Sequence, residues 1–305
     1  MQAVILIHGG AGTLFKGQIS AEREAAAREG LQQALAAGVA CLEQSALDAV
    51  EAAVKVLEDC EVFNAGRGSV YTHEGLQEMD AAIMDGRQCE AGAVAGVQGV
   101  RYPVSLARAV LQHSPHVMLS GSGAVAFARQ QGLQIEPPEF FHSDYRWQQL
   151  LQIRDQDRTA LDHALGQDEK KSFGTVGAVA LDVHGALAAA TSTGGMTNKR
   201  FGRIGDSALI GAGTYADAHC AVSATGHGEY FMRAVLAHEL SARLRYTGQT
   251  LEQAAAGALQ QVTELGGAGG LIVVDAKGNW RMPFNTGRMY RGVQTLTGSG
   301  EVWIY

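Results

Sequence analysis

Hydrophobic and polar positions change period several times along this chain, and each change predicts an element. Residues 3–8 form a short apolar run ending in His8, the signature of a buried strand. From residue 20 to about residue 40, Glu, Ala, Leu and Arg recur at helical spacing, with Ser20 placed to cap the start and Glu22 close behind. Residues 45–58 predict a second helix whose stripe is Ala46, Val50, Val54 and Leu57. Strands are expected at 79–84 and 91–97, and helices near 104–112 and 123–131. Residues 151–173 are charged and largely aperiodic, which predicts a mobile segment. Two hairpins follow, 177–193 turning at Asp182-Val183-His184-Gly185 and 270–284 turning at Asp275-Ala276-Lys277-Gly278. Helices at 229–246 and 251–264 lie between them. Strands and helices gathered in blocks, without strict alternation, predict an α+β layered fold in one domain, 1–305.

The chemistry concentrates at the first hairpin. Gly174-Thr175-Val176-Gly177-Ala178-Val179-Ala180 puts a threonine directly after a glycine at the mouth of a small-residue strand. With a three-residue loop at 183–185, Thr175 lies opposite Thr193 on the returning strand; a two-residue loop shifts the pairing by one position. A threonine hydroxyl is a poor nucleophile, but breaking the preceding peptide bond frees an α-amino group with a pKa of roughly 7.7–8 that can act as its base. Glycine at 174 tolerates the backbone conformations such a step needs. A lone Gly-Thr is also an ordinary β-branched strand residue. The second segment, Thr191-Ser192-Thr193-Gly194-Gly195-Met196-Thr197-Asn198-Lys199-Arg200, favours the reactive reading because it brings exposed backbone N–H groups beside the hydroxyl.

These segments, together with Gly202-Arg203-Ile204-Gly205-Asp206-Ser207, resemble the plant-type (type III) L-asparaginases, also called isoaspartyl peptidases, of the N-terminal-nucleophile hydrolases. The resemblance spans nearly the whole chain, including His8-Gly9-Gly10-Ala11-Gly12, Phe63-Asn64-Ala65-Gly66 and Ala224-Thr225-Gly226. It implies an αββα sandwich made as a precursor that cuts itself between Gly174 and Thr175 into subunits 1–174 and 175–305. It also implies a dimer of such heterodimers acting on asparagine and β-aspartyl dipeptides. By resemblance Thr175 is the nucleophile and Thr193 holds or activates its hydroxyl. Thr225 and the Gly226 N–H form the oxyanion hole; Arg203 and Asp206 clamp the substrate's α-carboxylate and α-ammonium, with Gly228 in the same pocket, and Asn64 helps position the nucleophile. No organic cofactor is implied, only a sodium ion on the main-chain carbonyls of Leu57, Glu58, Cys60, Phe63, Ala65 and Arg67.

The residues alone leave alternatives. An Arg and an Asp three apart also describe a surface ion pair, and residues 224–229 also read as a phosphate-cradling strand-to-helix loop. His8-Gly9-Gly10-Ala11-Gly12 lacks the third glycine of a dinucleotide fingerprint, at Phe15, and His113 and His116 have no third ligand for zinc. A glycosylasparaginase shares the implied fold and nucleophile, and a nucleotide- or phosphate-binding protein would use the glycine-rich loops without self-cleavage. Arg67, His227 and Gly287-Arg288 depart from the family's pattern, in or beside loops expected to line the site.

Composition narrows the partners. The chain is 46% hydrophobic and 18% charged, as in ordinary globular proteins, and its 39 glycines suit tight turns and close backbone approaches. A net charge of -7 without a basic run argues against nucleic acid. No apolar stretch suits a membrane span or a secretory signal, and Cys41, Cys60, Cys89 and Cys220 form no paired motif, which predicts reduced thiols and a cytoplasmic protein.

Overall fold

The computed structural model describes residues 2–12, 17, 20–154 and 174–305. In chain order the first elements are β1 (Val4–Gly12), α1 (Ala21–Val39), α2 (Ala46–Asp59), β2 (Met79–Asp85), β3 (Glu90–Val97), α3 (Pro103–His113), β4 (Met118–Ser120), α4 (Gly121–Gln130), α5 (Pro138–Phe141) and α6 (Asp144–Ile153). From Gly174 onward come β5 (Val176–Leu181), β6 (Leu187–Thr193), β7 (Thr214–Ala216), β8 (Cys220–Gly226), α7 (Gly228–Ala234), α8 (Leu236–Thr247), α9 (Leu251–Glu264), β9 (Gly269–Asp275), β10 (Trp280–Arg281), β11 (Arg288–Thr295) and β12 (Glu301–Trp303).

Among the described residues, eight strands form one sheet, β12-β11-β1-β5-β6-β2-β3-β4, and four form another, β10-β9-β8-β7. Strands β1, β5, β6 and β2 at the centre of the large sheet are buried on both faces, which explains their alanine-rich sequences. Because side chains alternate across a strand, Ile5, Ile7, Ala178, Ala180, Ala188 and Ala190 pack with Leu31, Leu35, Val50 and Val54 of α1 and α2. The alternate set, Val4, Leu6, Val179, Leu181, Leu187 and Ala189, packs with Ala221, Ile272 and Val274 of the smaller sheet. That sheet turns Val222, Ala224, Leu271 and Val273 to Phe231, Leu240, Ala254 and Val262 on α7, α8 and α9.

Ser20 caps α1 by accepting the Arg23 N–H, and Ser45 caps α2 by accepting those of Leu47 and Asp48. Three expectations need correction. The single helix foreseen at 229–246 is two, broken at Val235, which sits at φ 47°, ψ 45°. At the break, the N–H groups of Ala237 and His238 donate to Ala212 and Gly211 in the loop before β7, so tertiary hydrogen bonds replace the helix's own. Residues 151–153 belong to α6, whose buried Leu150 and Ile153 anchor it; the rest of the foreseen mobile segment, from 155 to 173, lies outside the described residues. Finally, β1 runs on through Gly12, with a register shift between His8 and Gly10 against β11, so the glycine-rich stretch is strand, not a ligand-cradling loop.

The two hairpin turns differ in what they hold. Asp182 is 3% exposed; one carboxylate oxygen accepts the N–H groups of His184 and Ala186, and the other accepts that of Ala46 at the start of α2. Asp275 makes the same turn with Lys277 and Asn279, at the surface. We therefore expect Asp182→Ala to lower unfolding stability by about 3 kcal/mol, because it strands buried donors, and Asp275→Ala by less than about 1 kcal/mol. Chemical denaturation of both variants checks this; equal losses would refute the account.

Candidate functional site

The position of Thr175 follows from strand register. Asp182 N–H to Ala186 O (3.0 Å) closes a three-residue loop at 183–185, and Val176 pairs with Ser192 across the hairpin. One step further out, the Thr175 hydroxyl donates to that of Thr193 at 3.0 Å. The foreseen pairing is the observed one. Thr193 Oγ1 also accepts the Gly195 N–H (3.0 Å), in a turn where Gly195 has φ 79°. Asn64 fixes that turn: its amide donates to Gly195 O (2.8 Å) and its backbone carbonyl accepts the Gly194 N–H (3.1 Å).

Strand β1 supplies the opposite wall. Gly10 has φ 107°, and a Cβ there would collide with the peptide atoms of Gly174; only glycine lets β1 press on the bond before Thr175. The next residue, Ala11, donates its N–H to Thr225 Oγ1 (3.2 Å). With a lone pair so occupied, the hydroxyl proton of the fully buried Thr225 is free to serve another acceptor. Gly226 follows it into the cleft.

Charge is concentrated on one side. A cleft is lined by Gly174, Thr175, Thr193, Arg203, Asp206 and Gly226, joined by Gly195, Met196, Gly205 and Ser207 of the same sequence motifs. Burial pushes the Asp206 carboxyl up to about 7, against the opposing pull of the Arg203 guanidinium, and its Oδ2 has no hydrogen-bond partner among the described residues. Arg203 gives both Nε and Nη2 to Glu229 Oε1, each at 2.8 Å. Sequence reasoning missed Glu229, although it stands at the end of the Thr225-Gly226-His227-Gly228-Glu229 run. A Cβ at Gly228 would stand 2.8 Å from Asp206 Oδ1 and 2.9 Å from Arg203 Nη2, so glycine there keeps both groups clear. Behind the wall, Lys199 is buried with its ammonium on Glu78 O (2.9 Å). Burial pushes that ammonium's pKa down, while Asp80 and Glu78 push it up.

Several foreseen features fall elsewhere. Arg67 pairs with Glu61 and lies over the Phe140 ring, the His227 ring packs on Tyr230 at 5.0 Å, and Arg288 is buried over Tyr290. None of the three, nor Gly287, lines the cleft. His113 and His116 are exposed, and among the described residues no three His, Cys, Asp or Glu side chains gather to hold a metal. A roomier surface cleft lined by His219, Gln249, Asp275, Lys277 and Arg281 shares no residue with this site.

With this geometry in hand, comparison with known proteins is informative. A family model described as Asparaginase matches residues 1–304. The isoaspartyl peptidase of Escherichia coli strain K12 is 50% identical over 295 residues, covering 95% of this chain and 92% of that protein. An isoaspartyl peptidase/L-asparaginase of Xenopus laevis is 42% identical, over 95% of this chain and 91% of its own length. A plant-type L-asparaginase of Pyrococcus abyssi is 43% identical, over 93% and 94%. No described helix is long and apolar enough to cross a membrane. Matched along nearly its full length by the family model and by relatives at these identities, the chain belongs to the asparaginase family.

Proposed function

We propose that this chain is an autoprocessed amidohydrolase that converts L-asparagine to aspartate and ammonia and hydrolyses β-aspartyl dipeptides, with Thr175 as its N-terminal nucleophile. The observation that carries this reading is the Thr175–Thr193 hydroxyl contact, at 3.0 Å, directly after Gly174 and in one cleft with Arg203 and Asp206. The relatives' names supply the substrate class. The folded unit is an αββα sandwich of the N-terminal-nucleophile type, a reading supported by the three apolar clusters on and between the two sheets. It is one domain, made as a precursor and cut into 1–174 and 175–305. Four cysteines without disulfide partners fit a cytoplasmic enzyme, and two such subunit pairs form its dimer.

Thr175 Oγ attacks the Gly174 carbonyl carbon, the peptide rearranges to an ester, and water hydrolyses it. This frees the Gly174 carboxylate and the Thr175 α-amine. That amine then takes the Oγ proton as the hydroxyl attacks the substrate's side-chain carbonyl carbon. Thr225 and the Gly226 N–H receive the oxyanion. The protonated amine hands its proton to the departing nitrogen, and a water activated by the same amine releases aspartate. Arg203, steadied by Glu229, takes the α-carboxylate, while Asp206 takes the α-ammonium.

Residues 57–67 would hold a structural sodium ion through the carbonyls of Leu57, Glu58, Cys60, Phe63, Ala65 and Arg67. A Cβ at Gly66 would collide with the Glu58 carbonyl and one at Gly68 with that of Phe63, so the loop is wound tightly enough to gather the oxygen ligands a hard cation prefers. The Glu58 side chain faces elsewhere, accepting the Val104 N–H at 3.0 Å.

Three outcomes follow. Purified protein should divide into 1–174 and 175–305 without added protease, whereas Thr175→Ala should stay one chain, by intact-mass spectrometry; full activity in an uncut chain would sink the mechanism. Thr225→Ala should lose about 10²–10³ in kcat on asparagine, and a loss of only a few-fold would mean that its role is misassigned. Asp206 must be ionised to bind an ammonium and is half-neutral near pH 7. KM for asparagine should therefore rise about tenfold between about pH 8 and about pH 6, and a flat KM over that range would contradict the clamp.

A further inference from the structure

One fully buried polar cluster is not consumed by the reaction. His8, Ser223, Thr191 and Thr214 come from four strands, and all are 0% exposed. His8 Nδ1 stands 3.0 Å from the Thr175 carbonyl oxygen and Nε2 2.8 Å from Ser223 Oγ. Ser223 Oγ lies 2.7 Å from Thr191 Oγ1; Thr214 Oγ1 lies 2.6 Å from Thr191 Oγ1 and 2.9 Å from Ser207 O, and its single proton serves one of the two. Ser207 follows Asp206 in the short turn Asp206–Ala208.

Proton accounting assigns the direction of the first links. A carbonyl oxygen only accepts, so Nδ1 must carry the His8 proton. Burial pushes the imidazole's pKa down to about 3, so the ring is neutral and Nε2 is a bare acceptor. Ser223 therefore spends its single proton on Nε2, and its oxygen accepts from Thr191. Gly177 makes this possible: a Cβ there would collide with both Ser223 Oγ and His8 Nε2. The second glycine of the Gly174-Thr175-Val176-Gly177 run is thus the space in which this hydrogen bond sits.

We propose that His8, held in its Nδ1-protonated form by Ser223 and Thr191, is the positioning residue of the nucleophile. This rests on Thr175 being the nucleophile. Gripping the Thr175 carbonyl restrains rotation about the Cα–C bond, and so the direction in which the α-amine and Oγ face the substrate. The effect belongs to the reactive step, because among the described residues the His8 ring bonds Thr175 and Ser223, not Arg203 or Asp206. Misplacement of a reacting group by about 1 Å can cost on the order of 100-fold in rate.

Two substitutions separate this role from simple core filling. The His8→Asn amide can put an N–H where Nδ1 stands, whereas His8→Gln carries its amide out toward Ser223. We expect His8→Gln to lose about 10–100-fold in kcat, with KM for asparagine within about twofold, and to slow self-cleavage, while His8→Asn recovers most of both. Equal losses in the two variants at matched melting temperature, no loss in either, or a loss confined to KM would overturn the proposal. Should both variants fail to fold, ¹⁵N-histidine NMR of the unaltered protein decides. One ring protonated on Nδ1 and unchanged from about pH 5 to about pH 8 supports the proposal; if no histidine shows this form, it is overturned. Thr175→Ala keeps the two readings apart. Its retained activity would refute the nucleophile, while the NMR measurement still judges the grip of His8 on the residue-175 carbonyl.

Discussion

The pairing of β5 with β6 is the constraint on which the rest of the molecule depends. A strand slipped by one residue turns every side chain to the opposite face. Such a slip would separate the Thr175 and Thr193 hydroxyls and also exchange the faces that Ala178, Ala180, Ala188 and Ala190 and Val179, Leu181, Leu187 and Ala189 bury. The turn at Asp182 prevents it, because one carboxylate closes the loop and also caps α2. Chemical register and packing register are therefore one decision. Both apolar faces of the hairpin are filled, so no alternative pairing finds a place for its side chains.

Strand β1 couples the two halves of the chain at the site. It lies between β11 and β5 in the large sheet, so each half completes the other's hydrogen-bond ladder. Its small residues give it several tasks within four positions. His8 reaches the Thr175 carbonyl, Gly10 lets the backbone press on Gly174, and Ala11 orients Thr225. The register shift between His8 and Gly10 re-aims the strand so that these contacts converge. A chain cut at Gly174–Thr175 would leave the His8 and Ala11 contacts in place, since neither depends on that bond.

Electrostatics divides the site into a neutral region around Thr175 and a charged region around Arg203 and Asp206. Around Thr175 the partners are hydroxyls, a neutral imidazole and backbone amides, none of which competes for a proton near neutrality. The charged region is different. Asp206 is buried beside Arg203, yet Glu229 already holds the Nε–Nη2 edge of that guanidinium, so the nearby positive charge does not offset the full cost of desolvating the carboxylate. Glycines at 205 and 228 stand where any side chain would crowd Arg203 or Asp206.

Local pattern carried a good part of this into the sequence. Helical periodicity marked α1 and α2, with Ser20 as the cap of α1, Asp-x-x-Gly marked both hairpin turns, and loop length placed Thr175 against Thr193, because these features depend on neighbours within a few residues. Arg203 and Asp206 were placed in the cleft by resemblance alone; their spacing describes a surface pair equally well. Other features had no local signal. The break at Val235 exists because Ala212 and Gly211 compete for helix N–H groups, and a valine there gives no warning. Glu229 on Arg203, Ala11 on Thr225 and the His8–Ser223–Thr191–Thr214 chain join positions between 23 and 215 residues apart. The sequence specified the hairpin and the meeting of Thr175 with Thr193 because short-range geometry suffices for that. The hydrogen-bond directions, the burial that shifts Asp206 and His8, and the contacts that aim the nucleophile arise only where distant strands are brought side by side.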